Sequence, residues 1–556
     1  MDNGKISDTF SLLSKLTDIH GENSFKAKSY SSAAFSIDKL SVQLKDLPPE
    51  KISSLPGIGT SSAQKIIELL QNGKIISLEE IIFRTPPGIL EMLTIKGIGP
   101  KKIHTIWKEM EIETIGELLY ACKENRLKLY KGFGEKTQQQ ITETIEYYLK
   151  NKGTHLYATV TSIAKEVESF LFEIFKNIRV ELTGNFLRQF ETIDALEFMV
   201  ETSIQMIEET INKYPHFILK DQNEAFIRYA TSLGIDVLFY AIPSDKWVSK
   251  SLQYSSSANF YSALEKNLPH LNTAQNEADF FEKNEMMFIP PFLRETPEVI
   301  LLAQQRKLPA IIQQNDIKGI IHCHSNWSDG SNTIEEMALA CRERGLSYLV
   351  MSDHSKSAFY AQGLSEEKIR AQHKEIDALN KKLAPFKIFK SIESDILNDG
   401  SLDYSTEVLA SFDLVIASIH SNLKMTEEKA MARLIKAIEH PYTTILGHLT
   451  GRLLLSRPGY PINHRKIIDA CAANKVAIEL NANPNRLDID WRYIHYALEK
   501  DVLISINPDA HHIDGLDDIK YGVWVAQKAM LTKEQNLSSF SLEAFETYLK
   551  IKKANL

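Results

Sequence analysis

Cysteine is scarce in this chain, and the few cysteines present exclude several kinds of protein. The 556 residues include only four, which lie far apart and form no C-x-x-C pair: Cys122, Cys323, Cys341 and Cys471. A disulfide framework or a thiolate zinc finger needs closely spaced cysteines, so neither is expected. The pattern fits a reducing compartment, and we predict a cytoplasmic protein.

Long apolar runs and a positive net charge are also missing. No stretch approaches the ~18 consecutive apolar residues of a membrane span, and the N-terminus lacks a signal-peptide pattern, so we expect no membrane partner. The formal net charge of −8 excludes a global basic field, so any DNA contact must come from local patches or backbone amides. The 43% hydrophobic and 24% charged residues are typical of a globular protein. The length suggests roughly three to four domains.

Residues 1–150 show helical periodicity and contain one short pattern three times. Each copy reads Gly-hydrophobic-Gly between helical segments, with the glycines at Gly57 and Gly59, Gly97 and Gly99, and Gly132 and Gly134. Glycine accepts the positive φ of a tight turn, and such a turn presents the first N–H groups of the next helix to an anion. Lysines that would add positive charge are Lys65, Lys96, Lys101 and Lys131. The pattern resembles the helix-hairpin-helix motif, which implies contacts with the DNA backbone; ordinary helix–helix turns are the alternative.

The helix that contains Lys65 extends this resemblance. Residues Glu22–Tyr30 and Leu55–Leu70 are similar to the N-terminal domain of family X DNA polymerases. In that family a lysine of this helix can form a Schiff base with an abasic sugar, and the matching position here is Lys65. The alternative is a lysine on a solvated helix face.

After residue 153 the pattern becomes mixed α/β, and the resemblance to family X polymerases continues to about residue 300. The family's palm carries a paired Asp-x-Asp and a third Asp on a later strand. Here Ala195 and Glu197 stand at the paired positions and Leu238 at the third. Two-metal phosphoryl transfer needs carboxylates on one face, which alanine and leucine cannot supply. We predict a degenerate palm whose polymerase activity is lost or very weak, and Asp236 leaves a shifted site with Glu197 open.

From residue 317 short apolar runs alternate with helical patterns, which predicts a parallel sheet long enough to close as a barrel. The predicted strands are Gly319–His324, Tyr348–His354, Phe386–Ile396, Leu414–His420, Thr444–Leu449, Ala477–Asn481 and Leu503–Ile506. Nine metal-binding residue types lie at or just beyond strand ends: His322, His324, Asp329, His354, Glu393, His420, His448, Asp509 and His511. Because these ends meet at one barrel mouth, we predict a site for two to three divalent ions. Imidazole and carboxylate ligands without thiolate favour Mn, Zn or Fe.

The same segments resemble the PHP (polymerase and histidinol phosphatase) domain. This resemblance implies a trinuclear metal site and a Mn²⁺-dependent 3′-5′ exonuclease. Three further residues are predicted to act in the reaction. Asp353 would orient His354 or a neighbouring ligand. Arg452 or Arg457 would bind a phosphate, with surface ion pairing as the alternative for both.

From end to end the chain resembles a bacterial family X DNA polymerase fused to a PHP domain. The predicted fold is multidomain: all-α helix-hairpin-helix domains, an α/β nucleotidyltransferase-like palm and thumb, and a distorted (βα)7 PHP barrel. The predicted domains are a lyase-like DNA-binding domain (1–85), a fingers-like helix-hairpin-helix domain (86–152), a degenerate palm (153–242), a thumb-like region (243–300), a linker (301–316) and the PHP domain (317–556).

The predicted function is that of a DNA-binding, metal-dependent phosphodiesterase. We expect a 3′-5′ exonuclease that processes gapped or 3′-ended DNA in repair and acts as a monomer. One alternative is a small-molecule phosphomonoesterase similar to histidinol phosphatases. The other is a DNA-binding scaffold without catalysis.

Overall fold

The computed structural model describes residues 1–95, 97–110, 112–123, 127, 130–150, 153–271, 273–358, 361–423, 425–455 and 458–554. The chain forms two compact units, Met1–Lys152 and Gly153–Leu556. In the part of the chain described, every helix is too short or too polar to cross a membrane.

The first unit is a set of helices around one apolar core. In its first helix Ile6, Phe10 and Leu13 recur at helical spacing and are fully or almost fully buried, which is why this helix packs lengthwise into the core. The α-helices of this unit are Asn3–Ile19, Ser24–Asp38, Pro49–Ile52, Thr60–Asn72, Ile76–Phe83, Pro87–Met92, Pro100–His104, Ile115–Lys123 and Glu135–Lys150.

The second unit begins with the palm, a five-stranded sheet covered by helices on one face. In spatial order its strands are Val180–Thr183, Ala195–Val200, Asp236–Ala241, Phe226–Thr231 and Phe217–Gln222. Its helices are Tyr157–Ile174, Gly184–Leu187 and Ile204–Ile211. Leu196, Phe198 and Val200 alternate along one strand and share an apolar cluster with the first of these helices. The strand's other face carries Ala195 and Glu197, two of the three degenerate positions.

The thumb-like region follows as four helices, Trp247–Tyr254, Ala258–Asn267, Glu277–Lys283 and Glu298–Gln304. The Pro-rich segment between the last two is packed rather than free, because Ile289, Leu293 and Arg294 are buried. The segment predicted as a linker, 301–316, starts inside the helix Glu298–Gln304, and its Ile312 is buried in the core of the following domain.

Seven parallel strands in chain order form the C-terminal barrel. They are Gly319–Ile320, Tyr348–Met351, Lys387–Asp395, Leu414–Ser418, Thr443–Leu446, Ala477–Asn481 and Ile504–Asn507. A bridge between Cys323 and Ala510 joins the first strand's extension to that of the last, with His324 N donating to Ala510 O at 2.8 Å. The sheet is therefore nearly closed, and the predicted (βα)7 class is confirmed.

The barrel's helices surround the sheet, and the last one closes its base. They are Ile334–Glu343, Glu366–Leu383, Thr406–Leu409, Glu427–Ile438, His464–Asn474, Trp491–Glu499, Ile519–Lys528 and Leu542–Ala554. Phe545 of the last helix stacks on Tyr348 with ring centroids 4.8 Å apart, and both rings belong to a buried cluster with Phe389. Tyr348 and Phe389 lie near strand starts, so the strand ends are the open side.

A buried ion pair organises the thumb-like region. The guanidinium of Arg294 is completely buried and donates to Glu277 Oε2 at 2.5 Å, Ser255 Oγ at 2.5 Å and Ile289 O at 2.8 Å. Burial alone would raise the pKa of Glu277, but Arg294 outweighs burial and holds the pKa below its ordinary value. The carboxylate is therefore charged in the folded chain.

We expect Arg294→Ala to destabilise the second unit by roughly 3–5 kcal/mol, because it leaves the charge of Glu277 without its buried partner. Urea unfolding followed by circular dichroism measures the loss, with Lys283→Ala, which breaks an exposed pair with Asp279, as the matched control. Because the pKa of Glu277 is lowered by folding, the difference should be present at neutral pH and shrink as the pH falls through the carboxyl range. Equal unfolding midpoints for the Arg294 variant and the control would contradict this role.

Candidate metal centre

Strand alternation lines the barrel with apolar side chains at the base and polar ones at the mouth. Along one strand Phe389 lies in the interior cluster, and Glu393, on the same side by the two-residue period, lies at the mouth. Along the next strand Leu414 and Ile416 are interior, and His420 follows beyond the strand end. The polar side chains at the mouth therefore belong to the same inward-facing rows as the apolar side chains of the interior.

Glu393 is at the centre of the mouth and is completely buried. Its Oε1 lies 3.0 Å from His448 Nε2 and 3.1 Å from His420 Nε2, and its Oε2 lies 2.9 Å from His354 Nδ1. His322 Nε2 is 3.4 Å from Oε1. One carboxylate therefore faces four imidazoles from four different strands.

Asp509 and Asp329 extend this cluster outward. Asp509 Oδ1 lies 3.1 Å from His324 Nε2 and 3.6 Å from His322 Nε2. Asp329 carboxylate oxygens lie 3.5 Å from His354 Nε2 and 3.5 Å from His511 Nε2.

The structure thus brings all nine predicted ligand residues into one contiguous cluster. Eight of them make up three groups in which the potential ligand atoms all lie within 4.8 Å of one another: His324, Asp329, His354 and His511; His322, His324 and Asp509; and His354, Glu393 and His420. His448 adjoins the third group through Glu393.

The electrostatics keep the central carboxylates ionised. Burial would raise the pKa of Glu393, but the imidazoles of His420 and His322 outweigh it and hold the pKa well below its ordinary range. Burial would lower the pKa values of His354 and His420, but Glu393 raises them to about 10 and about 9. Burial together with His511 and His354 lowers the pKa of His324 to about 3. Without metal, protons balance the buried charge; divalent cations can replace them.

The cluster fits divalent metal ions. His322 Nε2 is completely buried and has no hydrogen-bond partner among the described residues, yet it points at the carboxylates of Glu393 and Asp509. A buried nitrogen without a partner is costly, and a metal ion bound between the imidazole and the carboxylates would satisfy it. The potential donors are imidazoles and carboxylates without a thiolate. Cys323 packs among the apolar side chains of the domain's main core, with its Sγ 3.5 Å from Val350 O.

Two carboxylates that the sequence analysis did not select hold histidines from behind. Glu479 is completely buried; its Oε1 lies 2.6 Å from His322 Nδ1 and its Oε2 accepts from His448 N at 2.6 Å. Asp395 Oδ1 lies 2.5 Å from His420 Nδ1. Such contacts fix the orientation of the ring. They also leave the lone pair of Nε2 as the one that can coordinate a metal ion. The signal was in the sequence, because an acidic residue inside an apolar strand such as Ala477–Asn481 has to be paired.

Asp353 lies behind the turn that carries two of the ligand candidates. Its completely buried carboxylate accepts from Ser325 N at 2.7 Å, Ser325 Oγ at 2.7 Å, Ser328 Oγ at 2.6 Å and Gln372 Nε2 at 2.6 Å. These bonds hold the turn between His324 and Asp329, so Asp353 acts on the cluster through the backbone that carries its ligand candidates.

Arg452 is engaged by protein groups, including an ion pair with Asp490. Its Nε donates to Arg486 O at 2.9 Å, its Nη1 donates to Asp490 at 2.8 Å, and its Nη2 donates to Leu487 O. The guanidinium is committed to the loop after the sixth strand. Arg457 lies outside the described residues.

The three glycine hairpins of the first unit share one conformation. The first glycines, Gly57, Gly97 and Gly132, have φ of +78°, +92° and +93°. The hydrophobic residue that follows each of them is buried, and helices begin directly after Gly59, Gly99 and Gly134. At Gly59 and Gly99 no side chain caps the helix, so the N–H groups of the first turn stay available to an anion, except at Pro100, which has no N–H.

The predicted DNA-binding lysines differ in their surroundings. Lys65 Nζ donates to Ser77 Oγ at 2.7 Å and lies 6.0 Å from the centroid of the Tyr30 ring. Lys101 and Lys131 are exposed beside their hairpins. Lys102, which was not predicted, donates to Gly97 O at 3.3 Å. Lys96 lies outside the described residues.

The palm positions carry no comparable cluster. Ala195 pairs with Asp236 and Glu197 with Leu238 across neighbouring strands. Glu197 Oε2 accepts from Tyr240 OH at 2.8 Å and Oε1 accepts from Asn185 N at 3.2 Å. Within the palm residues that the structure describes, no three His, Cys, Asp or Glu side chains lie close enough to hold a metal ion.

Asp236, the residue of the alternative shifted site, is paired with basic side chains. Its carboxylate lies 2.9 Å from Lys220 Nζ and 3.5 Å from Arg228 Nε. Both acidic side chains of the degenerate site are therefore already engaged by protein groups.

We expect Glu479→Gln to weaken Mn²⁺ binding about 10- to 100-fold, because the amide removes the negative charge that orients the His322 ring. Titration calorimetry on the metal-free full chain measures the dissociation constant. Glu499→Gln, an exposed position on an outer barrel helix, is the matched control. An Mn²⁺ affinity unchanged from that of the control would show that Glu479 does not support the site.

The comparisons with known proteins agree with this geometry. The family model for a helix-hairpin-helix domain matches residues 1–75, the model for a SAM-like helix-hairpin-helix tandem matches residues 89–146, and the PHP domain model matches residues 321–483.

Curated relatives extend these matches. Two proteins named probable phosphatase, from Caldicellulosiruptor bescii and Thermoanaerobacter sp. (strain X514), are 25% and 26% identical over 252 and 246 residues. These alignments cover 41% and 42% of this chain and 94% and 95% of those proteins. The DNA polymerase/3′-5′ exonuclease PolX of Bacillus subtilis (strain 168) is 31% identical over 555 residues, which covers 96% of each chain. With this end-to-end similarity, the helix-hairpin-helix and PHP matches and the seven-stranded barrel, the chain belongs to the family X DNA polymerases that carry a C-terminal PHP domain.

Proposed function

We propose that this chain is a DNA-binding, metal-dependent phosphodiesterase that removes nucleotides from DNA 3′ ends and has lost polymerase activity. The observation that carries the proposal is the contrast between two sites: a largely buried cluster of nine potential ligands in the barrel, and a palm with alanine and leucine at two of three carboxylate positions. The relative named PolX, a polymerase and 3′-5′ exonuclease, supports the DNA substrate.

The three ligand groups would hold two to three divalent ions, with Mn, Zn and Fe as the metals that suit the donors. Ions bound there supply Lewis acidity, which lowers the pKa of attacking water and neutralises charge on the phosphate. Glu393, Glu479 and Asp395 keep the histidine rings oriented. Asp329 and His511 are the most exposed members, with 30% and 37% of their side-chain surface accessible, so we propose that the DNA end enters on their side.

The hairpins of the first unit would hold the DNA backbone. Helix N-termini without side-chain caps offer N–H groups to phosphates, and Lys101 and Lys131 add charge. The contacts need no base, so binding would be sequence-independent and sensitive to salt. We further propose that the chain acts as a monomer on gapped or 3′-ended DNA in repair.

We expect the double variant His322→Ala/Asp509→Ala to lose nuclease activity completely, because it removes two potential metal ligands. His322 faces the central carboxylate of Glu393, and Asp509 faces His324. Degradation of a 5′-labelled oligonucleotide with Mn²⁺ measures this, and the variant should match wild-type enzyme treated with EDTA. His495→Ala, an exposed histidine on an outer helix, is the matched control and should keep full activity. A double variant as active as this control would place the nuclease elsewhere.

We expect no primer extension, because Glu197 and Asp236 are engaged by protein groups and no third carboxylate joins them. The assay uses each dNTP with Mn²⁺ on gapped DNA and the nuclease-deficient double variant, so that degradation does not hide synthesis. A polymerase of known activity on the same DNA is the control. Robust extension by the double variant would refute the loss of polymerase activity.

The relatives named probable phosphatase favour a second candidate, a small-molecule phosphomonoesterase. The glycine hairpins argue for DNA instead, since a metabolite enzyme has no need of them. Turnover of an oligonucleotide and of histidinol phosphate by the same preparation separates the two. Metal content of the purified protein separates both from a scaffold without catalysis.

A further inference from the structure

Arg486 is a charged donor at the wall of the metal centre that no contact fully uses. Its Nε lies 3.7 Å from Asp509 Oδ2, and one fifth of its side chain is exposed. Within the described part of the chain, its terminal Nη groups make no hydrogen bond. A planar guanidinium with unused donors suits the oxygens of a phosphate, which it can bind through two parallel hydrogen bonds.

The loop that carries Arg486 is held at its backbone by Arg452. The guanidinium of Arg452 donates to the carbonyl oxygens of Arg486 and Leu487. The same loop is anchored by Asp488, which is completely buried and accepts from Thr450 N at 2.8 Å and from Thr450 Oγ1 at 2.9 Å. One arginine thus clamps the loop so that another can face the cluster.

A palm residue completes this clamp. Glu191 is buried, precedes the palm strand Ala195–Val200, and lies 3.3 Å from Arg492 Nη1 and 3.7 Å from Arg452 Nη2. Asp490 pairs with both arginines at 2.8 and 2.9 Å. Two positive and two negative charges balance in this network, and removal of Glu191 would leave the arginines with one carboxylate.

The palm also contacts the barrel beside this network. Lys528 Nζ, completely buried, donates to Arg188 O at 2.6 Å and to Glu295 Oε1 at 3.0 Å, and it lies 4.3 Å from the centroid of the Phe190 ring. Residues 188–191 are therefore held against the barrel independently of the Arg452 clamp. This anchoring keeps the carboxylate of Glu191 at a defined place.

We infer that Arg486 binds phosphate oxygens of the DNA strand beside the metal centre, and that Glu191 is a positioning residue that fixes Arg486 through Arg452. This inference rests on the proposed nuclease function and deepens it. It gives the palm a role in the barrel's reaction, because the palm supplies a charge that the loop of Arg486 requires.

Phosphate binding tests Arg486 without depending on turnover. Inorganic phosphate and dTMP are titrated calorimetrically into the Mn²⁺-loaded full chain. We expect Arg486→Ala to weaken binding about 10- to 100-fold, since charged hydrogen bonds are lost, and Arg486→Lys to recover only part, since lysine cannot form two parallel bonds. Metal content should be unchanged, and Arg342→Ala, an exposed arginine on a barrel helix, is the matched control. Equal phosphate affinity for Arg486→Ala and the control overturns the assignment.

A double-mutant cycle on oligonucleotide degradation tests Glu191. We expect Glu191→Ala to raise KM about 10-fold with a smaller change in kcat, and to have no further effect once Arg486 is alanine. Guanidinium ion should partly rescue Arg486→Ala. Glu181→Ala, which breaks an exposed palm ion pair with Arg179, is the control. An equal effect of Glu191→Ala in the presence and absence of Arg486 would reduce Glu191 to general stability and overturn its positioning role.

The nuclease function and the phosphate site at Arg486 can be refuted separately. Wild-type protein that binds phosphate through Arg486 but does not degrade DNA would refute the nuclease function and leave the phosphate site standing. Wild-type protein that degrades DNA with equal activity in the Arg486→Ala variant would leave the nuclease function standing and refute the inference.

Discussion

A single buried negative charge, the carboxylate of Glu393, governs the organisation of the barrel mouth. It faces imidazoles from four strands at 2.9 to 3.4 Å, and a charge at that depth is tolerated only when it is paired. The imidazoles in turn need fixed orientations, which Glu479 and Asp395 provide from behind. Glu479 and Asp395 thus form an outer shell of acids behind the histidines that face Glu393.

The two units and their sites divide the requirements of a DNA enzyme between them. The glycine hairpins present backbone N–H groups on a helical core, which suits a chain whose net charge is negative. The cluster of potential ligands lies at the barrel's open end because the other end is filled by Phe545 and Tyr348. The palm keeps its fold, since Leu196, Phe198 and Val200 still pack against a helix, although two of its three carboxylate positions are apolar. Packing and metal binding would depend on opposite faces of the palm strand Ala195–Val200. The residues of one face can therefore change while those of the other face keep packing.

Much of the fold followed from sequence patterns, and so did the composition of the cluster. Alternating strand and helix signals predicted seven barrel strands, and the strand bounds differ from prediction by a few residues, mostly because strands end before their polar residues. The nine ligand candidates were found because each lies at or just beyond a strand end. Glu479 is harder to find from the sequence, because it lies in the middle of the strand Ala477–Asn481 and belongs to none of the motifs that contain the nine ligand candidates. Arg452 is a candidate for phosphate binding in the sequence because it follows His448 closely, but the direction of its side chain depends on a loop that comes 34 residues later.

The sequence by itself determined which chemistry is available: nine imidazole and carboxylate groups at strand ends, three glycine hairpins, and a palm with alanine and leucine in place of acids. These are local properties, since strand period, glycine conformation and side-chain type are each read from a few neighbouring residues. Only the tertiary structure decided which carboxylate is central, which acids support the histidines, and which arginine faces the cluster. Those outcomes depend on distances between residues far apart in the chain, and a guanidinium or carboxylate takes the partners that the packed fold brings within a few ångströms.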